Sequence, residues 1–138
     1  MSAHTYDTLN VGDTHTSTQY ISADDVRTYA DLSGDDNPIH VDADAAQAAG
    51  FDRPIAHGAL LVGYMSRVLG REYPGHGAIA VSLSAKFVRP VLVDSEVTFE
   101  VKVAEKIEKR GHVRLKVYVY REGKLAMGGE AVVIPPAG

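Results

Sequence analysis

The chain has 138 residues, 45% of them apolar and 23% charged, with a net charge of −4 and no cysteine. A chain of this size can bury a core as one domain without staples. Disulfides, thiolate metal sites and a cysteine nucleophile are excluded, and the composition fits a reducing compartment such as the cytoplasm. Acids and bases are mixed along the chain, so no basic stripe marks a nucleic-acid partner. The first ten residues are polar and lack the apolar region of a signal peptide. The apolar-rich run from Ala59 to Leu69 is too short to span a bilayer and is broken by Ser66 and Arg67. The expectation is a single cytoplasmic domain over residues 1–138, with no membrane partner.

Residues 1–13 read as a loosely held lead-in ending at Gly12-Asp13. His15 to Ile21 is rich in Thr and β-branched residues and reads as a strand. Ser22 followed by Asp25 matches a helix start, with Val26, Tyr29, Ala30 and Ser33 on one face and Gly34 at the end. Asp35 to His40 then forms a turn that Pro38 keeps out of a regular helix. A short helix follows from about Ala43 to Ala49, capped by Asp42 or Asp44, with Gly50 past its end. The main helix runs from residue 59 to about 71. Its first half is apolar on every face, which predicts burial all round. Tyr73-Pro74-Gly75 closes the helical half.

Four strands follow. Ile79, Val81, Leu83, Ala85 and Phe87 alternate in the first. Val97, Phe99, Val101 and Val103 do so in the second, Val113, Leu115, Val117 and Val119 in the third, and Leu125 to Ile134 is the fourth. Arg110-Gly111 and Glu122-Gly123 supply hairpin turns. Period-two alternation predicts an antiparallel sheet covered on one side. Helices grouped beside a strand meander argue for an α+β fold, with the sheet around the one apolar helix.

Three features carry chemistry. Asp35 and His40 put a carboxylate and an imidazole on one turn, able to hold a water between them and move its proton. Asn37 can bond within the turn and fix its shape, although Asp35 and Asn37 are also ordinary turn-formers. His57-Gly58 opens the main helix. Gly58 offers an N–H at the positive end of the helix dipole and room for a ligand to approach, and His57 reads as a local cap or a support. Ser66 is a lone hydroxyl on an apolar helix, bonded back to its own backbone or aimed into a pocket. His40-x-Asp42-x-Asp44 lacks the spacing of a zinc site, so no metal is expected. With no P-loop and no G-x-G-x-x-G, no bound cofactor is expected either.

Ser33-Gly34-Asp35-Asp36-Asn37-Pro38-Ile39-His40, with Asp42 and then Arg53-Pro54-Ile55-Ala56-His57-Gly58, resembles the R-specific enoyl-CoA hydratase family of MaoC-like dehydratases. The likeness extends to Phe87-x-Arg89-Pro90-Val91 and to Gly129-Glu130-Ala131. It implies a hot-dog fold, a homodimer and reversible hydration of trans-2-enoyl-CoA to (R)-3-hydroxyacyl-CoA. It also implies site roles: Asp35 and His40 as the catalytic pair, the Gly58 N–H as oxyanion donor, and Asn37, His57 and Ser66 in support. Coenzyme A would be part of the substrate. Two other readings stay open: a hot-dog acyl-CoA thioesterase, and a non-catalytic acyl-thioester binding module. Tyr64, Met65, Val68 and Leu69 are the candidates for an acyl pocket.

Overall fold

The computed structural model describes residues 3–137. β1 (Thr14–Ile21) leads into α1 (Ala23–Ser33), α2 (Pro38–Val41), α3 (Ala43–Ala48) and α4 (Gly58–Arg67). A π-helical turn, Val68–Glu72, continues α4. β2 (Ile79–Phe87), β3 (Ser95–Ile107), β4 (His112–Arg121) and β5 (Lys124–Ile134) complete the chain. The five strands form one antiparallel sheet in the order β1-β3-β4-β5-β2. The α+β expectation holds: one helix packs on one sheet.

The alternation explains the core. Val97, Phe99, Val101 and Val103 of β3 face inward beside Val113, Leu115, Val117 and Val119 of β4, and all eight are buried. Each such side chain contributes roughly 1.5–3 kcal/mol by leaving water. Leu61 and Met65 of α4, with Val68 and Leu69 of the π turn, pack into the same cluster. The hairpin between β4 and β5 is a two-residue turn, with Arg121 opposite Lys124 and positive φ at both Glu122 and Gly123. That backbone is the one whose twist suits paired strands.

Three expectations change. The lead-in is not loose over its described residues: Leu9 is fully buried, and the His4 N–H donates to the Pro74 carbonyl. Within α4 only Leu61 and Met65 are buried, while Ala59, Gly63 and Ser66 are exposed. A single sheet covers one side of a helix, and the other side here carries small residues. Finally, β2 lies at a sheet edge. Of its alternating apolar residues only Leu83 and Ala85 pack against the core, while Ile79, Val81 and Phe87 remain exposed.

The far end of α4 is tied to β1 by a polar cluster. His15 Nε2–H and the Ser17 hydroxyl donate to the Glu72 carboxylate at 3.1 and 3.0 Å, and Arg67 approaches it at 3.6 Å. Burial pushes the Glu72 carboxyl up, but these two hydrogen bonds and the Arg67 charge outweigh it and hold the group below its ordinary value.

Gly129 of β5 sits opposite Ala85 of β2, and a Cβ there would overlap the Ser84 carbonyl oxygen. The obstacle is backbone, which cannot swing aside. Gly129→Ala is therefore expected to cost about 3 kcal/mol, at the upper end for overpacking, read as a lowered denaturant midpoint. An unchanged midpoint would show that β2 pairs less closely with β5 than described.

Candidate active site

Asp35 follows the end of α1. Gly34, at φ +82°, closes that helix, with its N–H donating to the Ala30 carbonyl. A side chain is disfavoured in this left-handed conformation, which is why a glycine ends the helix there. The Ser33 hydroxyl donates to the Tyr29 carbonyl at 2.7 Å and accepts the Asp35 N–H at 3.1 Å. On the other side, His57 Nε2–H donates to the Asp35 carbonyl at 2.8 Å. The backbone of Asp35 is thus held at both ends while its carboxylate stays exposed to solvent.

His40 differs from expectation in its local structure. It lies in the four-residue helix α2, not in a non-helical turn. Pro38 takes the first helical position, where a missing N–H costs nothing and the ring's fixed φ suits the helix. Asp35 and His40 still share no helix, because the residue before the proline, Asn37, is at ψ 127°. The Asn37 side chain makes no cap bond; the Asn37 backbone carbonyl accepts the His40 N–H instead. The next cap is Asp42, whose carboxylate accepts from the N–H groups of Asp44 and Ala45.

The tautomer of His40 follows from its partner. Nδ1 lies 2.7 Å from the Ile55 carbonyl oxygen, which can only accept. Nδ1 therefore carries the proton, and the neutral ring keeps a lone pair on Nε2. Ile55 is itself fixed, its N–H donating to the Ile39 carbonyl and its strand bridging to Leu92. Behind His40 lies His57, 1% exposed, with ring centroids 3.8 Å apart and planes 25° from parallel. Tyr29 meets His57 edge-on at 4.7 Å.

Ligand atoms of Asp35, His40 and His57 all lie within 4.8 Å of one another. They do not make a chelate. An imidazole lone pair lies in its ring plane, and two stacked rings with centroids 3.8 Å apart and planes 25° from parallel do not aim their lone pairs at one point at the bonding distance of about 2 Å. A carboxylate beside a ring lone pair suits a water better.

Gly58 is the first residue of α4. The earliest helical bonds run from the N–H groups of Leu60 and Leu61 back to the His57 carbonyl, so the Gly58 N–H has no intrahelical acceptor. A Cβ on Gly58 would stand 2.7 Å from the Phe87 ring, so a larger residue fits only if that ring moves. Both residues line a cavity of about 390 Å³, together with His40, Ile55, Leu61 and Val91. The cavity brings an imidazole and a free backbone donor to one apolar pocket, which is how small-ligand sites are commonly built.

Other expected residues lie elsewhere. His57 does not line the cavity, and its side chain does not cap α4. Ser66 lines a separate small cavity with Leu69, Gly70 and Leu83, and no residue is common to the two. None of Tyr64, Met65, Val68 and Leu69 lines the main cavity. Its apolar wall comes from Phe87, Val88 and Val91, at and just beyond the end of β2.

The family model described as MaoC like domain matches residues 9–123. The chain is 40% identical to the (R)-specific enoyl-CoA hydratase of Aeromonas caviae, over 93% of this chain and 96% of that one. It is 38% identical to the (R)-specific enoyl-CoA hydratase of Rhodospirillum rubrum, over 97% and 93%. An unliganded R-hydratase structure from Pseudomonas aeruginosa superposes with a TM-score of 0.93 at 34% identity, covering 99% of this chain and 88% of that one. The hot-dog arrangement implied by the resemblance is the one observed. Among the described residues no helix is long and apolar enough to cross a membrane.

Proposed function

We propose that this chain, because it belongs to the MaoC-like domain family, adds water across the double bond of a trans-2-enoyl-CoA to give the (R)-3-hydroxyacyl-CoA, and reverses that reaction. The observation that carries the reading is the approach of the Asp35 carboxylate and the His40 ring to within 4.8 Å, with His40, though not Asp35, lining the same cavity as the first residue of α4. A water between Asp35 and His40 donates one hydrogen to each acceptor, which leaves its oxygen lone pair for the substrate. The oxygen bonds to Cβ while Asp35 takes a proton. The electron pair of the double bond moves onto the thioester oxygen, where the Gly58 N–H stabilises the enolate. The proton then returns to Cα on the same face, so the addition is syn. No step calls for a metal, a flavin or a nucleotide.

The test is the loss of enoyl-thioester ultraviolet absorbance with crotonyl-CoA, followed by chiral analysis of the product. (R)-3-hydroxybutyryl-CoA supports the reading. Release of free thiol would favour a thioesterase, and binding without turnover would favour a binding module.

His57 supports this site from behind. It ties down the Asp35 carbonyl and stacks under His40, and its buried Nδ1 has no protein partner. The two contacts can be separated. His57→Gln keeps a donor near the position of Nε2 but loses the ring, and His57→Phe keeps a ring but loses the donor. If the bond to Asp35 matters more, Phe lowers kcat by about tenfold or more with KM unchanged, and Gln restores most of it. A loss in Gln that Phe does not share would assign the role to the stack.

The same family reading includes a homodimer. The exposed Ile79, Val81 and Phe87 on edge strand β2, beside the uncovered small-residue side of α4, are the surface it would use. Val81→Lys is expected to shift the particle mass in solution from twice 14.8 kDa toward 14.8 kDa. A wild type that runs as a monomer at micromolar concentration would remove the dimer.

A further inference from the structure

Arg89 lines the main cavity, and with Pro90 it also lines a second cleft of about 250 Å³, so the two are neighbours. The second cleft lies at the β4–β5 hairpin, walled by Arg121, Glu122, Lys124 and Ala126 as well. Its charges are unusual. Arg121 and Lys124 stand directly opposite each other across the hairpin, a like-charge pair that weakens a sheet when nothing neutralises it. The Arg89 guanidinium joins them, donating through Nη1 to the Leu125 carbonyl at 2.8 Å. Arg121 is held from the other side, its Nε donating to the Ser95 hydroxyl at 3.0 Å.

Against these three cations the cleft has one carboxylate. Glu122 lies 3.7 Å from Arg121 and is 77% exposed, so it pairs weakly. The excess of positive charge stands in a chain whose net charge is −4. Past Arg121 the balance reverses. The next depression is lined by Arg53 and Arg121 against Asp94, Glu96 and Glu122. The excess of cations thus lies between the cavity and that acidic depression.

The spacing suits a tethered anion. Phe87, which covers Gly58, pairs with Met127, and Lys124 lies three residues further along β5. Three strand residues span about 10 Å. A ligand reacting beside Gly58 and carrying its negative charge on a flexible arm would set that charge among Arg89, Arg121 and Lys124.

We infer that the cleft formed by Arg89, Arg121 and Lys124 holds the phosphate groups of the acyl carrier arm, so that a phosphorylated thioester is bound at both ends. The inference rests on the hydration reading for what lies in the main cavity, but it can be tested without turnover.

Calorimetry with free CoA, 3′-dephospho-CoA and pantetheine is that test. Wild-type CoA binding should weaken steeply with added salt while pantetheine binding does not. Lys124→Glu should weaken CoA binding by about tenfold or more, as expected for losing a charged hydrogen bond. Dephospho-CoA locates the contact: loss of the Lys124→Glu effect assigns the cleft to the 3′-phosphate, and its persistence assigns it to the diphosphate. CoA and pantetheine binding with the same salt dependence, together with a Lys124→Glu variant that binds CoA as the wild type does, would overturn the inference. The salt comparison uses only the wild-type protein, so a poorly folded variant does not decide the matter. A protein that binds CoA in this salt-dependent way yet never hydrates crotonyl-CoA would sink the hydration reading and leave the cleft standing.

Discussion

Asp35→Asn is expected to lower kcat for crotonyl-CoA by about 10²–10⁴-fold, the usual contribution of a positioned acid–base group. KM and thermal stability should barely move. The asparagine has the same shape but cannot take a proton. The stability forecast follows from where the hydrogen bonds lie. Ser33 and His57 bind the backbone N–H and carbonyl of residue 35, and the carboxylate itself stands in solvent. A substitution that alters only the carboxylate leaves those bonds in place. Chemistry lost with KM kept marks a group used in the transition state alone. Retained turnover in this variant would move the base to His40, whose Nε2 lone pair is the other proton acceptor at the site. His40→Gln would then be the variant that fails.

Much of this site was legible because its signals are local. Ser22 and Gly34 bound one helix and Asp42 caps another, so the stretch from Asp35 to His40 could be placed between them from chain order. Pro38 was misread in one respect. A proline disfavours the residue before it from helix, but it is welcome as a helix's own first residue, and α2 begins on it. The strands were legible because two-residue alternation is strong when one face is buried.

What could not be read depends on long-range packing. The sequence shows that α4 is apolar, not which of its faces the sheet covers, so Met65 and Val68 stood as pocket candidates, and they lie in the core. The choice left open for Ser66 turns on the same packing: it is exposed on α4 and lines a cavity other than the one beside Gly58. The bond from His57 to Asp35 spans 22 residues and depends on how α4 docks beside the end of α1. No spacing rule reports such a contact. The walls of the main cavity come from the end of β2, which reaches α4 only because the sheet order sends that strand to an edge.

Gly58→Pro tests the one proposed participant that has no side chain. Proline removes the N–H, and a helix tolerates it at its first position. The residue before it must be extended, and His57 already is, at φ −63° and ψ 137°. The obstacle is the Phe87 ring, 2.7 Å from where a Cβ would stand. Phe87 is 53% exposed, so truncating it to alanine opens the space at little cost to the fold. On a Phe87→Ala background, Gly58→Ala keeps the donor and Gly58→Pro deletes it. The proline variant should turn over crotonyl-CoA about 10²–10³-fold more slowly than the alanine variant, the cost of losing one oxyanion donor. The two share nearly the same bulk at Cβ, so the ratio isolates the N–H from the packing. Equal rates would mean that the enolate oxygen takes its hydrogen bond elsewhere. The next donor to remove would be the Ala59 N–H, the other amide of that first turn without an intrahelical acceptor.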